Sequence, residues 1–342
     1  MDNGTAIASS HDDLLQEALG EKPAETKITP LTGGNSGVLV ARVQGITTGG
    51  KPFSVVIKSR GSDRPHAALW YTDDAGMLDR EYHVYALLER LGLPHARVLA
   101  RRYAGLCDWA LILEDLTVRY VLPLSDYVFS EADRNRIIDT YALIHSRTMG
   151  IDYQAASLQF EDGSEVTAHV AEEVLETLGG FEIDGVHLKP DDFDYALSIL
   201  LEYRIRWTGE SRCLLYSDFH QTNVALPKDG ADNAILFDWE LARFGLPQFD
   251  ALNAGFGDDA GMAKYAERMA AHGGKVDMQK FKAGLKYAGL SAVFYTLWLL
   301  HKKLQKDPGG RLPNWMRALV KELFEGGLVR RAGDCAVPSD QR

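Results

Sequence analysis

Two carboxylates and an amide stand within a short stretch of the chain, at Asp218, Asn223 and Asp238. Asn223 lies in one strand-like run and Asp238 ends the next, and the turn-forming residues 227–233 between them predict a β-hairpin. Such a hairpin brings Asn223 close to Asp238, while Asp218 lies in the loop before it. Mg²⁺ favours hard oxygen ligands of this kind, with phosphate and water completing its shell. The three side chains can therefore orient a hydroxyl and hold magnesium against the phosphates of a nucleotide.

Each of these residues, taken alone, also fits an ordinary hairpin with polar ends. The joint pattern favours the catalytic interpretation. Three neighbours are expected to serve the structure instead. His220 should stabilise its loop, with a contact to substrate as the alternative, and Trp239 should pack beneath the metal loop. Asp250 is expected to cap the helix that follows it.

Lys58 ends the apolar run 53–57, and strand alternation allows its ammonium to point inward beneath a glycine-rich turn. A buried lysine normally requires a carboxylate partner, because an unpaired buried charge is costly. Glu81, at the start of a helix predicted over residues 77–91, is the natural candidate. The alternative is that Lys58 and Glu81 are two solvated surface charges.

Two further segments have the features of a nucleotide site. The turn 33–37 is glycine-rich, so the backbone of Gly34, Asn35 and Ser36 can approach phosphates closely. It is not a Walker loop, because no Gly-Lys-Ser/Thr follows it. Downstream, the apolar strand and connector 111–116 can offer backbone groups of Glu114 and Leu116 to an adenine edge. Whether the side chains of this connector bind ligand or serve the structure is left open.

Around these residues the sequence predicts a small sheet-rich lobe followed by a larger, mostly helical lobe. Gly92 is expected to end the helix of Glu81, and Ser130 to begin another. The predicted strands cover residues 26–32, 38–43, 53–59, 97–103, 109–113, 222–226 and 234–238. The predicted later helices cover residues 166–178, 190–208, 260–272, 278–304 and 313–325. The predicted domains are a tail or short helix over 1–26, lobes over 27–116 and 117–330, and a tail over 331–342.

Composition narrows the class of protein. The chain has 342 residues, of which 46% are hydrophobic and 25% charged, as in a globular protein with a sizeable core. A formal net charge of -11 without a basic block argues against nucleic acid as the main partner. Three scattered cysteines exclude a disulfide framework, and we see neither a secretion signal nor a stretch long enough to span a bilayer. We expect a cytoplasmic monomer or homodimer that binds no membrane.

The chain resembles the aminoglycoside phosphotransferase and choline kinase-like family over roughly residues 27–325. The resemblance rests on Tyr216-Ser-Asp218 through Asn223, followed by Phe237-Asp-Trp-Glu240, where the family has His-Gly-Asp-x-x-x-x-Asn and then Asp-Trp. It implies an α+β, protein-kinase-like two-lobe fold. Tyr216 and Ser217 replace the usual His-Gly pair, which removes no group from the chemistry because that histidine is mainly a scaffold.

The resemblance also implies roles for individual residues. Asp218 would be the catalytic base or hydroxyl-orienting group, and Asn223 and Asp238 would hold Mg²⁺. Lys58 would contact the phosphates of ATP and pair with Glu81. Residues 113–116 would form the hinge between the lobes, and residues 144–146 would end the helix before the catalytic loop.

The implied activity is ATP-dependent phosphorylation of a hydroxyl on a small molecule, such as an aminoglycoside or other antibiotic, a sugar or an amino alcohol. The acceptor pocket is expected in the helical lobe. Acidic residues facing a cationic acceptor would be Glu240, Asp258 and Asp259, whereas Phe256, Tyr295 and Trp298 would suit a more apolar alcohol.

Two alternatives compete with this activity. A catalytically silent nucleotide-binding module is supported only by the altered Tyr216-Ser217 pair. Protein-kinase activity is disfavoured, because no Ala-Pro-Glu element follows Asp238 and Asp-Trp-Glu stands where Asp-Phe-Gly would be.

Overall fold

The computed structural model describes residues 11–31, 38–60, 79–105, 108–151, 211–230, 233–285 and 288, together with the backbone of 182–183 and 186–187. Contacts between Cα atoms divide the chain into two compact units. The first unit contains Met1–Arg147, Tyr153–Leu158 and Tyr216–Ala242, and the second contains Thr148–Asp152, Gln159–Leu215 and Arg243–Arg342. Lys58, Glu81, Asp218, Asn223 and Asp238 all belong to the first unit. The predicted domain boundaries stay a prediction.

A five-stranded antiparallel sheet forms the first part of this unit and confirms the predicted meander. Its strands are β1 (Pro23–Pro30), β2 (Leu39–Thr47), β3 (Pro52–Arg60), β4 (Val98–Gly105) and β5 (Asp108–Glu114). Their order in the sheet is β1-β2-β3-β5-β4. Lys58 of β3 faces Val40 of β2 and Leu111 of β5 in the register, so it lies on a strand flanked on both sides.

Helix α1 (Asp12–Leu19) packs against one face of the sheet, so the N-terminal segment includes the short helix that was one of two predicted options. Leu14 and Leu15 of this helix join a buried cluster with sheet residues of alternating position. The sheet members of the cluster are Val43, Val55, Ile57, Ala100, Ala110 and Ile112. Because successive strand residues point to opposite faces, burial of Ile57 on this face sends Lys58 to the other.

Helix α2 (Arg80–Leu91) carries Glu81 in its first turn. The helix ends at Gly92 as predicted, since this residue adopts a left-handed backbone with φ 62° and its amide donates to Glu89 O at 3.1 Å. Val84, Tyr85 and Leu88 are buried on one side of the helix. The buried face fixes the rotation of α2 and thereby the direction of the Glu81 side chain.

Helix α3 (Glu131–Thr148) starts with the capping arrangement that the sequence predicts. The Asp133 amide donates to Ser130 Oγ at 3.2 Å, and the Ser130 amide donates to the Asp133 carboxylate at 3.0 Å. Later in the helix, the Thr140 hydroxyl donates to the Ala234 carbonyl at 3.1 Å. That bond attaches α3 to the hairpin that bears the predicted metal ligands.

The predicted hairpin is present but shorter. After the short strand β6 (Tyr120–Val121) and helix α3, strands β10 (Val224–Pro227) and β11 (Ile235–Leu236) pair antiparallel, and β10 also pairs with β6. Thr222 and Asn223 were expected to start the first strand, but they lie in a one-turn 3₁₀ helix, Gln221–Asn223. The His220 side chain accepts from the Thr222 amide and favours this turn over an extended start.

The second unit contains a two-stranded pair of β9 (Cys213–Leu215) with β12 (Arg243–Gly245), and a hairpin of β7 (Glu182–Ile183) with β8 (Val186–His187). Helices α4 (Gln248–Asn253) and α5 (Asp259–Ala271) follow, and α5 confirms the helix predicted over 260–272. Asp250 does not cap α4 as expected: it lies in the first turn and is fully buried. Residues 278–285 are helical, whereas the helices predicted over 166–178, 190–208 and 313–325 fall outside the described residues. Within the described ranges, no helix is long and apolar enough to cross a bilayer.

Candidate active site

Lys58 lies at the centre of the candidate site and contacts two carboxylates. Its Nζ is 2.6 Å from Glu81 Oε1 and 2.9 Å from Asp238 Oδ1. The Lys58 residue is 7% exposed and Glu81 is 1% exposed. The predicted contact between Lys58 and Glu81 is therefore present, and the alternative of two solvated surface charges is wrong. The same ammonium also links α2 to Asp238, two residues after β11.

Burial and charge act in opposite directions on this group. Burial lowers the pKa of Lys58, but the carboxylates of Asp238 and Glu81 outweigh it and hold that pKa well above its usual range. Burial raises the pKa of the Glu81 carboxyl, and the neighbouring Lys58 ammonium opposes that rise. The Glu81 carboxylate also accepts from the Trp239 amide at 3.3 Å. Lys58 thus remains a fixed positive charge beside Asp238.

Asp218 and Asn223 contact each other directly. Asn223 Nδ2 donates to Asp218 Oδ2 at 3.1 Å and lies 3.4 Å from the Asp218 carbonyl. The amide nitrogen is thus used inside the loop, which leaves Asn223 Oδ1 as the atom that can bind a cation. Burial and then the charge of Asp238 raise the pKa of Asp218. A cation beside Asp238 would offset the second of these effects.

Trp239 directly follows Asp238 and anchors this part of the chain in the interior. The indole is fully buried and its Nε1 donates to the Leu236 carbonyl at 2.9 Å. Its ring meets the ring of Tyr216 edge to face, with centroids 4.8 Å apart. This position agrees with the expectation that Trp239 packs beneath the loop of Asp238.

A cavity of about 270 Å³ opens beside these groups within the first unit. Its polar lining includes Lys58, Asn223 and Asp238, and its apolar lining includes Val40 and Leu113. The connector Leu113–Leu116, which the sequence predicts to be a hinge and which is called the hinge below, forms another wall of this cavity. The arrangement offers a flat apolar group a place between the sheet and the hinge, with the charged groups at one end. Gly34, Asn35 and Ser36, predicted to contact phosphates, lie outside the described residues.

Tyr85 is a lining residue that sequence reasoning did not select. Tyr85 is 1% exposed, and its hydroxyl has no hydrogen-bond partner among the residues described. Burial raises the pKa of Tyr85 further above its usual range, so the phenol stays protonated. The hydroxyl is available to a ligand that enters the cavity. In the sequence, Tyr85 belongs to the apolar stripe of α2, and nothing there separates it from an ordinary core residue.

The side chain of Asp115 is held by contacts within the first unit. Asp115 accepts from Ser54 Oγ at 2.6 Å, from Thr117 Oγ1 at 2.7 Å and from the Thr117 amide at 3.1 Å. It also forms an ion pair with Arg42 at 2.9 Å. Burial alone would raise the pKa of Asp115, but these contacts outweigh burial and lower that pKa. Asp115 thereby fastens the hinge to strands β2 and β3.

Glu114 is held in a similar way. Its carboxylate accepts from the Arg97 amide at 2.9 Å and from Arg119 at 3.0 Å. Its own amide donates to the Arg97 carbonyl at 2.9 Å. A backbone contact from Glu114 to a base would therefore use its carbonyl, and the amide of Leu116 would be the complementary donor. These two contacts stay predictions.

We predict that Asp115→Asn destabilises the first unit and weakens nucleotide binding. Loss of the charge removes the ion pair with Arg42 and weakens the hydrogen bonds from Ser54 and Thr117. The free energy of unfolding should fall by about 2–3 kcal/mol. The loosened hinge should raise the Kd for nucleotide while the rate of the chemical step changes less. Urea unfolding and a fluorescent-nucleotide titration measure the two effects. Asp126→Asn, at an exposed position in the following segment, should change neither. Equal behaviour of the two variants would contradict a positioning role.

Asp238 and Asn223 offer oxygen donors of the kind that Mg²⁺ binds. Asp238 supplies a carboxylate whose side chain is 29% exposed, and Asn223 supplies the amide oxygen identified above. Over the part of the chain that the structure describes, there is no cluster of three or more His, Cys, Asp or Glu side chains suited to a metal. One carboxylate and one amide are too few for a protein cage but suit Mg²⁺, which keeps water and phosphate ligands.

Residues 31–283 match the model of the phosphotransferase enzyme family. The chain belongs to this family. No curated protein sequence matches it significantly.

Solved structures with the family fold cover nearly the whole chain. Choline kinase LicA from Streptococcus pneumoniae is similar at 16% identity with a TM-score of 0.56, covering 95% of this chain and 98% of that one. The GDP complex of wild-type aminoglycoside 2'-phosphotransferase-IIIa gives 13% identity and a TM-score of 0.61, covering 96% and 100%. A choline/ethanolamine kinase family protein from Mesorhizobium loti gives 12% identity and 0.54, covering 98% and 96%. The predicted family and the α+β, kinase-like fold class are thus confirmed.

The three acidic residues predicted to face an acceptor are divided between the two units of the chain. Glu240 belongs to the first unit, whereas Asp258 and Asp259 belong to the second. Asp258 caps helix α5, accepting from the Gly261 amide at 2.7 Å. Asp259 is 2.6 Å from Lys282 and its side chain is 84% exposed. Their role toward an acceptor stays a prediction.

Proposed function

We propose that the protein is an ATP-dependent O-phosphotransferase that transfers the γ-phosphoryl group to a hydroxyl of a small molecule. The observation that carries the proposal is the position of Lys58 between Glu81 and Asp238, on a cavity that Asn223 also lines. The Lys58 ammonium is buried, is held by the Glu81 carboxylate and reaches Asp238 at the edge of the cavity. A positive charge in that position suits the binding of a polyphosphate.

Each side chain has a defined task in this reaction. Asp218 accepts the hydrogen bond of the acceptor hydroxyl and aligns its oxygen with the phosphorus. The hydroxyl proton passes to Asp218 as the new P–O bond forms and the bond to the leaving phosphate breaks. Little prior deprotonation is required, since the transition state is loose. Lys58 binds phosphate oxygens, and Glu81 keeps its ammonium in place.

Asp238 and Asn223 are the residues that would hold Mg²⁺. The cation supplies charge neutralisation on the phosphate oxygens when bound. The hinge, Leu113–Leu116, is proposed to bind the base, with the Glu114 carbonyl and the Leu116 amide as its polar contacts. Gly34, Asn35 and Ser36 would complete the phosphate site.

The acceptor is proposed to be an aminoglycoside or another antibiotic, a sugar or an amino alcohol. Support comes from family membership and from the fold shared with a choline kinase and an aminoglycoside phosphotransferase. A cationic acceptor fits the net charge of -11 and the acidic residues Glu240, Asp258 and Asp259. A cytoplasmic monomer or homodimer, with a role in antibiotic resistance if the acceptor is an antibiotic, belongs to the same proposal.

The test is incubation with Mg²⁺-ATP and a panel of alcohols, read by mass spectrometry. The panel should contain aminoglycosides, choline, ethanolamine and simple sugars. We expect a product heavier than one acceptor by a phosphoryl group, together with ADP. Nucleotide binding without product across acceptors from all these classes would favour the silent nucleotide-binding module instead. Phosphate on a protein acceptor would favour a protein kinase.

A further inference from the structure

We propose that Tyr216 is a positioning residue whose hydroxyl joins the loop of Asp218 to the backbone that presents Asp238. The inference rests on the proposed function, because it concerns the same site. It assigns a task to a residue at which this chain departs from its family, and it predicts that the phenol oxygen, rather than the ring alone, matters.

The hydroxyl of Tyr216 donates to the carbonyl of Phe237, with 2.5 Å between the oxygens. A second carbonyl, that of Asn223, lies 3.5 Å from the same oxygen. Phe237 immediately precedes Asp238, and its amide donates to the Asn223 carbonyl at 3.1 Å. One side chain therefore reaches the backbone of both segments that carry the proposed metal ligands.

The ring holds the hydroxyl in this position. Tyr216 is 1% exposed, and its ring packs edge to face on the buried ring of Trp239. Immobilised between that ring and the two carbonyls, the phenol has little freedom to turn its hydroxyl elsewhere. Phenylalanine would retain the packing and lose only the hydrogen bond.

Backbone conformation supplies an independent observation. Ser217 has φ 65° and Asp238 has φ 68°, and no other non-glycine residue with positive φ occurs among those described. Such conformations are uncommon for residues with a Cβ and persist only where the surroundings hold them. Ser217 directly follows Tyr216, and Asp238 directly follows Phe237. The hydrogen bond from Tyr216 to Phe237 thus connects the two residues that immediately precede the left-handed positions.

This geometry connects the hydrogen bond to the site. The left-handed backbone of Asp238 directs its carboxylate toward Lys58, at 2.9 Å. Without the hydroxyl, the Phe237 carbonyl loses its buried donor and the following residue can relax. Asp238 would then bind a cation less well, whereas binding of the nucleotide base at the hinge would be unaffected.

The test measures binding of a non-hydrolysable ATP analogue with excess Mg²⁺ and with EDTA, by titration calorimetry. Wild-type protein should bind more tightly with Mg²⁺. In Tyr216→Phe this gain in affinity should shrink by about three- to tenfold, the ratio expected for loss of one buried hydrogen bond. Affinity in EDTA should stay within about twofold, since that measurement does not involve the metal ligands. Tyr265→Phe is the matched control, because Tyr265 is a fully buried tyrosine of the second unit, and it should keep the whole gain.

The outcomes separate the inference from the proposed function. A Tyr216→Phe protein with the full Mg²⁺-dependent gain would overturn the positioning role and leave the proposed function standing. Wild-type protein that binds no analogue would overturn the proposed function before any variant is compared. If Tyr216→Phe does not fold, the same comparison is made in a Ser217→Gly background, where glycine removes the backbone strain. An equal gain with and without the hydroxyl in that background would likewise overturn the inference.

Discussion

Asp218→Asn should lower kcat by about 10²- to 10⁴-fold, the usual contribution of a positioned acid–base group. Asparagine keeps the size of the side chain and can still contact Asn223, so the loop should retain its shape. It cannot accept the proton of the acceptor hydroxyl, and its amide orients that hydroxyl poorly. Nucleotide affinity should remain within a few-fold of wild type, because Asp218 is not among the groups proposed to bind ATP. Product formation under saturating Mg²⁺-ATP and acceptor measures the first effect, and an ATP-analogue titration measures the second.

Asp229→Asn provides the control for this variant. Asp229 is an exposed carboxylate in the hairpin turn between β10 and β11, close in sequence to the catalytic loop. Its replacement changes the net charge by the same amount and should leave kcat unchanged. Turnover of Asp218→Asn at the wild-type rate would remove Asp218 from the mechanism. A loss of nucleotide affinity equal to the loss of rate would instead assign it to nucleotide binding.

Lys58→Met should abolish detectable turnover and destabilise the protein by about 3–5 kcal/mol, the cost of breaking a buried ion pair. The substitution leaves the Glu81 carboxylate, 1% exposed, without its cation. Asp238 suffers less, since its side chain is 29% exposed and water can solvate it. Urea unfolding followed by circular dichroism gives the change in stability.

A second substitution separates stability from activity. The double variant Lys58→Met with Glu81→Gln removes both charges, and it should recover much of the lost stability because no buried charge remains unpaired. It should stay inactive, because no cation is left to bind the phosphates. Recovery of activity together with stability would show that Lys58 acts only through the fold.

The exposed pair of Lys51 and Glu21 is the matched control. It has the same separation of 2.6 Å as the pair of Lys58 and Glu81, but the Lys51 side chain is 76% exposed. Lys51→Met should alter neither stability nor turnover appreciably, since exposed ion pairs contribute little. A similar loss of stability in both lysine variants would contradict the importance of burial.

Local patterns were sufficient for much of the fold. Strand alternation and the turns predicted strands β1 to β5, because burial of one face imposes a period of two residues on a strand. Gly92 predicted the end of α2, since few residues other than glycine adopt the left-handed conformation found there. Errors occurred where a side chain competes with the backbone for hydrogen bonds. The bond from the Thr222 amide to His220 produced a 3₁₀ turn where the sequence predicted a strand.

For the site, residue types and spacing were enough to propose Asp218, Asn223, Asp238 and the pairing of Lys58 with Glu81. Sequence alone determined which chemical groups the protein can use, because type and spacing limit what a loop or strand can present. Only the tertiary structure decided that one ammonium contacts both Glu81 and Asp238, and that Asp115 fastens the hinge. It also decided that the Tyr216 hydroxyl bonds to Phe237. These contacts join residues of distant sequence position, and their strength depends on burial, which no local pattern specifies.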